Sequence, residues 1–217
     1  MTKSLSERAY HEIRRMIVRL DLAPGAVVRE DELQERLGMG RTPIREALQR
    51  LVRDQFVVVL PRRGVYVSGI DVSELSLLYE TRAILEPYAT RLACLRGKPD
   101  HWDDMAELLR QAERPGTPGV ELIEIDRACH EIVWAAADNR FLTDTLDMLY
   151  AQSDRLWHMY LADVDDMGHA VAEHREILDA LRDADSDRAA ALAETHIRSF
   201  DDQIRNAVTR RLAGPLS

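Results

Sequence analysis

The sequence predicts a mainly α protein in two parts: a small N-terminal lobe ending in a β-hairpin, then an all-α antiparallel helical bundle. Three observations support this. Apolar residues recur at three- and four-residue spacing along most of the chain, the period of an amphipathic helix. Runs rich in β-branched residues are confined to Phe56-Val57-Val58-Val59-Leu60 and Val65-Tyr66-Val67. Charge is divided unevenly: residues 1–70 hold 13 Lys/Arg and 9 Asp/Glu, a net of +4, whereas residues 71–217 hold 16 and 29, a net of −13. A chain of 217 residues is long enough for two modest cores, and the expected domains are 1–70 and 71–217.

The first lobe begins with Leu5, Ala9, Ile13, Ile17 and Leu20, which predict a helix over 4–20. Pro24-Gly25 closes the connection after it. A short helix is expected over 30–37, with Leu33 and Leu37 inward and Gly38 as its stop. Gly38-Met39-Gly40 is a tight turn. A third helix follows, with Thr42 expected as its cap and Pro43 at its first position, where a missing N–H costs nothing. Ile44, Ala47, Leu48, Leu51 and Val52 form its apolar stripe. Pro61-Arg62-Arg63-Gly64 separates the two strand-like runs as a hairpin loop. Helix, short helix, glycine turn, helix and basic hairpin together make a winged helix-turn-helix with a small β-hairpin wing.

That lobe carries the chemistry of a DNA reader. Residues 36–63 contain seven Arg and two acids. The stripe on the third helix leaves Arg41, Thr42, Arg45 and Gln49 on the opposite face, along the N-terminal half that enters a major groove. Arg can fork onto guanine O6/N7 and Gln onto adenine N6/N7. Thr42 and the open N–H groups at the helix start can hold a phosphate. Arg62 and Arg63 at the wing tip suit backbone or minor-groove contact, and Gly64 permits close approach. The competing reading of these arginines is a solvated basic face.

From residue 72 onward helices are expected near 72–96, 100–113, 119–137, 140–161, 167–183 and 187–212. Asp71 with Glu74 resembles a helix-starting box. The breaks fall at Gly97-Lys98-Pro99, at Pro115–Gly119, at Asp138-Asn139, at Asp163–Asp166 and at Asp183–Asp187. Spacing groups four residues of this bundle. Asp126 and His130 are four apart and share a helix face. His174 and His196 are equidistant from the turn near residue 185, so an antiparallel hairpin sets them at one level. One Asp and three imidazoles, in a core otherwise lined by Ile132, Val133, Ile177, Leu178 and Ile197, suit a divalent transition metal such as Zn, Ni or Mn. The alternative is a buried hydrogen-bond network without metal. His11, His101, His158 and His169 have no such pairing.

Two resemblances rest on these residues. Pro24-Gly25, Glu32-Leu33, Leu37-Gly38, Arg41-Thr42-Pro43-Ile44-Arg45-Glu46-Ala47-Leu48 and the Arg-Arg-Gly wing with Val65 and Val67 resemble the signature of GntR-type transcription regulators. The resemblance implies Arg41 and Arg45 as principal DNA contacts, Thr42 on phosphate and Gly64 in the wing. Gly40 departs from the usual Ser or Thr and loses a phosphate contact. Leu78-Tyr79-Glu80-Thr81-Arg82 with Leu85-Glu86, Asp126 to Ile132, Glu173 to Ile177 and His196-Ile197 resemble the FCD ligand-sensing domain of the FadR-like branch. Metal-binding members use an Asp and three His in this order, which implies Asp126, His130, His174 and His196; Cys129 stands where Phe is common. Arg82 occupies the family's pocket-arginine position, where it can bind a small carboxylate effector bidentately, with Tyr79 and Arg155 as further lining. The alternative for Arg82 is an ion pair with Glu86.

The resemblances imply a ligand-responsive regulator, a repressor by the commoner family behaviour, working as a homodimer on a double-stranded operator with two-fold symmetry. Two other classes compete: an architectural DNA binder with a purely structural metal, and a metalloenzyme fused to a DNA-binding head, with Glu131 or Glu173 as base. No nucleophile motif supports the enzyme. Two distant cysteines, Cys94 and Cys129, fit a reducing cytoplasm. No signal peptide and no membrane span are expected.

Overall fold

The computed structural model describes residues 4–71, 74–160 and 168–213. The chain divides after Asp71 into two compact units.

In the first unit, α1 (Leu5–Val18) starts at Ser4, whose hydroxyl accepts from the Glu7 N–H at 3.1 Å. Its apolar face buries Ala9, Ile13 and Ile17 against α3 (Arg41–Arg53). The intervening α2 (Glu30–Leu37) ends at Gly38 in the left-handed conformation, where glycine carries no Cβ penalty. Strands β2 (Val57–Leu60) and β3 (Gly64–Val67) form the expected antiparallel hairpin, pairing Val57 with Val67 and Leu60 with Gly64. A third strand, β1 (Val27–Val28), lies on the other edge of β3, giving the order β1-β3-β2.

The start of α3 differs from expectation. Its N-cap is Gly40, with no side-chain cap hydrogen bond, and Thr42 and Pro43 are its second and third residues. Pro43 is tolerated there because first-turn N–H groups lack intrahelical partners. Val52, expected in the stripe, is exposed; Ile44, Ala47, Leu48 and Leu51 alone complete the buried face.

The second unit contains α4 (Leu75–Arg96), α5 (Pro99–Ala112), α6 (Gly119–Ala136), α7 (Arg140–Tyr160), α8 (Gly168–Arg182) and α9 (Ser186–Ala213). α4 packs along α9, α5 against α6 and α8, and α8 against α9. Ala89, Met105, Leu109, Cys129, Leu146, Leu178 and Ala189 fill one contiguous core. The cap of α4 is Glu74, without a side-chain hydrogen bond of its own; the turn that joins it to Asp71 lies outside the described residues. The expected start at 72 and the break at 163–166 lie outside the described residues. Among the described residues no helix is long and apolar enough to cross a membrane, and Cys94 and Cys129 are both free thiols.

Candidate metal centre and nucleic-acid interface

α6 brings Asp126 and His130 to one face, α8 supplies His174 and α9 supplies His196. One ligand atom of each lies within 4.8 Å of all the others, and all four residues are buried. The three Nε2 atoms surround the Asp126 carboxylate: His174 at 2.8 Å and His196 at 3.6 Å from Oδ1, His130 at 3.7 Å from Oδ2.

Further side chains orient the group. The Glu86 carboxylate on α4 lies 2.7 Å from His130 Nδ1, and Glu173 lies 2.8 Å from His196 Nδ1. Each acts as acceptor and fixes its imidazole with the proton on Nδ1. The Nε2 atoms of His130 and His196 then present lone pairs to each other across 3.2 Å, an arrangement that a cation between them satisfies. Tyr150 donates from its hydroxyl to Asp126 Oδ2 at 2.6 Å. Donors at 2.0–2.2 Å from a transition metal are at most about 4.4 Å apart across the ion, so the set, within 4.8 Å, needs only slight contraction. The donor chemistry fits a divalent transition metal.

Charges follow this geometry. Burial opposes ionisation of Asp126, but hydrogen bonding and charge from His174, with the other imidazoles, hold its carboxyl well below the usual range. Burial and the neighbouring His196 push His174 down to about 4. Burial, reinforced by Asp126, raises the Tyr150 phenol well above its ordinary value.

Arg82 is 1% exposed. Its Nε donates to Glu86 Oε1 at 2.6 Å and its Nη1 to Ser153 Oγ at 2.9 Å. The ion pair with Glu86 is therefore present, and Glu86 joins Arg82 to His130. Burial opposes the charge on Glu86, yet Arg82 and His130 bring it down to about 2. Tyr79 is buried and lines a groove of about 480 Å³ between α4 and α9 with Ser76, Glu80, Ile84, Ile197 and Asp201. Arg155 is buried, donates to Gln152 at 3.3 Å and is lowered by desolvation to about 10. Neither Arg82 nor Arg155 lines that groove. Of the histidines left without a role, His158 faces Asp154 at 3.3 Å and His169 faces Glu173 at 3.2 Å.

On the first unit, Arg41, Thr42, Arg45 and Gln49 are all exposed along one side of α3, and Arg62, Arg63 and Gly64 are exposed at the wing tip. Glu30 of α2 lies between the two α3 arginines, 3.4 Å from Arg41 Nε and 3.3 Å from Arg45 Nε. Glu30, Glu173 and Tyr150 entered no expected ligand shell, because each reaches its partner from another helix. Glu86, four residues after Arg82, did carry a sequence signal.

Residues 5–67 match the model of the bacterial regulatory proteins of the gntR family, and residues 77–199 match the FCD domain. The chain is 31% identical over 199 residues to an uncharacterized HTH-type transcriptional regulator in an unstable DNA locus of Streptomyces ambofaciens, covering 89% of this chain and 82% of that protein. It is 26% identical over 207 residues to the HTH-type transcriptional repressor RspR of Escherichia coli, covering 94% and 90%. Among solved structures, E. coli McbR/YncC superposes with a TM-score of 0.84 at 22% identity, over 95% of this chain and 100% of that one. These families and relatives are transcription regulators rather than enzymes. The chain belongs to the GntR family, in the FadR-like branch that carries an FCD domain, and is a DNA-binding transcriptional regulator.

Proposed function

We propose that the protein is a cytoplasmic, homodimeric, ligand-responsive repressor. Arg41, Thr42, Arg45 and Gln49 read a two-fold operator in the major groove, while Arg62, Arg63 and Gly64 hold the flanking backbone. Asp126, His130, His174 and His196 bind a divalent transition metal, and Arg82, with Tyr79 and Arg155 nearby, answers to a small carboxylate. Held by these four residues, the ion would tie α6, α8 and α9 together and would supply a Lewis-acid site for the effector. Glu86 and Glu173 hold two of the imidazoles in the ligating tautomer, and Tyr150 orients Asp126. The repressor assignment is supported by the name of RspR.

The convergence of four buried donors carries the sensing half of this reading. The ion pair Arg82–Glu86–His130 gives a carboxylate that competes for Arg82 a physical route to the centre. Operator reading is tested with Arg45→Ala, on the duplex that the wild-type chain enriches from a randomised pool. Loss of one bidentate guanine contact is expected to weaken binding roughly 5- to 150-fold with unchanged far-UV circular dichroism. Retained affinity and sequence preference would overturn the assignment. Carboxylates titrated into the wild-type complex should release the duplex; no response from any of them would leave an architectural binder.

A further inference from the structure

We propose that Glu30 is a positioning residue for DNA reading: its single carboxylate bridges Arg41 and Arg45, presetting both guanidinium groups for bases and withholding them from random phosphates. The inference rests on the assignment of Arg41 and Arg45 as base readers.

Arg41 and Arg45 are four residues apart on α3, so like charges sit on adjacent turns, where they repel. Their side chains are 68% and 58% exposed, against 29% for Glu30. Glu30 Oε2 lies 3.4 Å from Arg41 Nε and Glu30 Oε1 lies 3.3 Å from Arg45 Nε. One carboxylate thus spends one oxygen on each guanidinium. Both contacts are made through Nε, so the Nη1/Nη2 end of each group stays open as the fork that matches guanine O6/N7. No other partner is recorded for either guanidinium among the described residues.

The carboxylate itself is held by its backbone. Glu30 is the first residue of α2, where negative charge is favoured by the helix dipole, and its carbonyl accepts from Gln34 Nε2 at 3.1 Å. The same turn contains Asp31 and Glu32, and Glu32 faces Arg29 at 3.6 Å. Non-specific affinity comes from cations that neutralise phosphates and release counterions. A guanidinium already paired to Glu30 gains less from a phosphate. On the right bases, the preset fork recovers that loss through hydrogen bonds. The clamp therefore acts on the ratio of specific to non-specific affinity.

The test uses the full chain with two probes of equal length: the duplex enriched by the wild type and a mixed-sequence duplex. Dissociation constants are measured over a salt series for Glu30→Gln, Glu30→Asp, Asp31→Asn and Arg45→Ala, each checked for an unchanged melting temperature. In Glu30→Gln, mixed-sequence binding is expected to tighten about threefold and its salt slope to steepen by roughly one ion. The enriched duplex gains less, so the affinity ratio falls. Glu30→Asp keeps the charge but is too short to reach both arginines, and lowers the ratio too. Asp31→Asn removes the same charge one residue away and shifts both probes equally. Equal shifts of both probes in Glu30→Gln, matching Asp31→Asn, would overturn the proposal. If Arg45→Ala leaves the ratio intact, the arginine assignment fails and takes the clamp with it. If Arg45→Ala abolishes the ratio while Glu30→Gln preserves it, the clamp alone fails.

Discussion

His174 illustrates what one side chain contributes. Its Nε2 lies 2.8 Å from Asp126 Oδ1, while its buried Nδ1 has no hydrogen-bond partner among the described residues. His130 and His196, by contrast, each have a carboxylate on Nδ1. His174 is therefore the ligand with least outside support, and its value to the protein lies in the centre. In His174→Ala, elemental analysis of the purified protein should find the metal lost while helicity is retained; undiminished metal content would remove the site. Glu86→Gln tests the layer behind it and should weaken metal affinity about 10- to 100-fold. The ligands were legible in the sequence because a helix has a fixed rise. Asp126 and His130 had to share a face, and His174 and His196 had to lie level across a short turn. Their supporting partners were not. Glu173 directly precedes His174 on α8, so their side chains diverge by about 100° around the helix. Glu173 turns instead to His196 on the neighbouring helix, which only the packing of α8 on α9 determines.

Among elements, α4 was predictable as a helix, but its two faces differ in a way that only the folded unit reveals. Tyr79, Arg82, Glu86 and Ala93 are buried, while Leu77, Ile84, Tyr88 and Leu95 are 53–70% exposed. Steps of seven, four and seven residues put these four on a single stripe. The stripe is also symmetric: the outer and inner pairs are both centred on position 86. An isologous interface requires such a self-complementary patch, so two antiparallel copies of α4 would match Leu77 with Leu95 and Ile84 with Tyr88. Ile84→Glu places like charges near that centre and should convert the proposed dimer to monomers in sedimentation analysis, with the bundle folded. An unchanged mass would assign the dimer to another surface. Local signals fared less evenly elsewhere. The two-residue β1 is too short to register as a pattern, and it exists because Val27 and Val28 pair with Tyr66 and Val65. Thr42 had the chemistry of a cap, but the chain becomes helical two residues earlier than expected, at Arg41, so the glycine before it takes that position.

For the molecule as a whole, division into two units predicts that a ligand of one unit acts on that unit's own stability. All four candidate ligands, and Glu86, Glu173 and Tyr150 behind them, belong to the second unit. An ion that binds only the folded form stabilises by an amount set by its concentration relative to Kd, about 2.7 kcal/mol at a hundredfold excess. For a unit of this size that corresponds to a rise of roughly 5–10 °C in melting temperature. Calorimetry of the full chain should therefore show one transition moving upward with Zn or Ni and returning when a chelator is added. The transition of the DNA-binding unit should stay where it is, because nothing in residues 4–71 groups with the donors. In His174→Ala the movable transition should lose its response to metal. Equal movement of both transitions would mean that the ion acts on the chain non-specifically; no movement in the wild type would mean that the buried imidazoles are held by their hydrogen bonds alone.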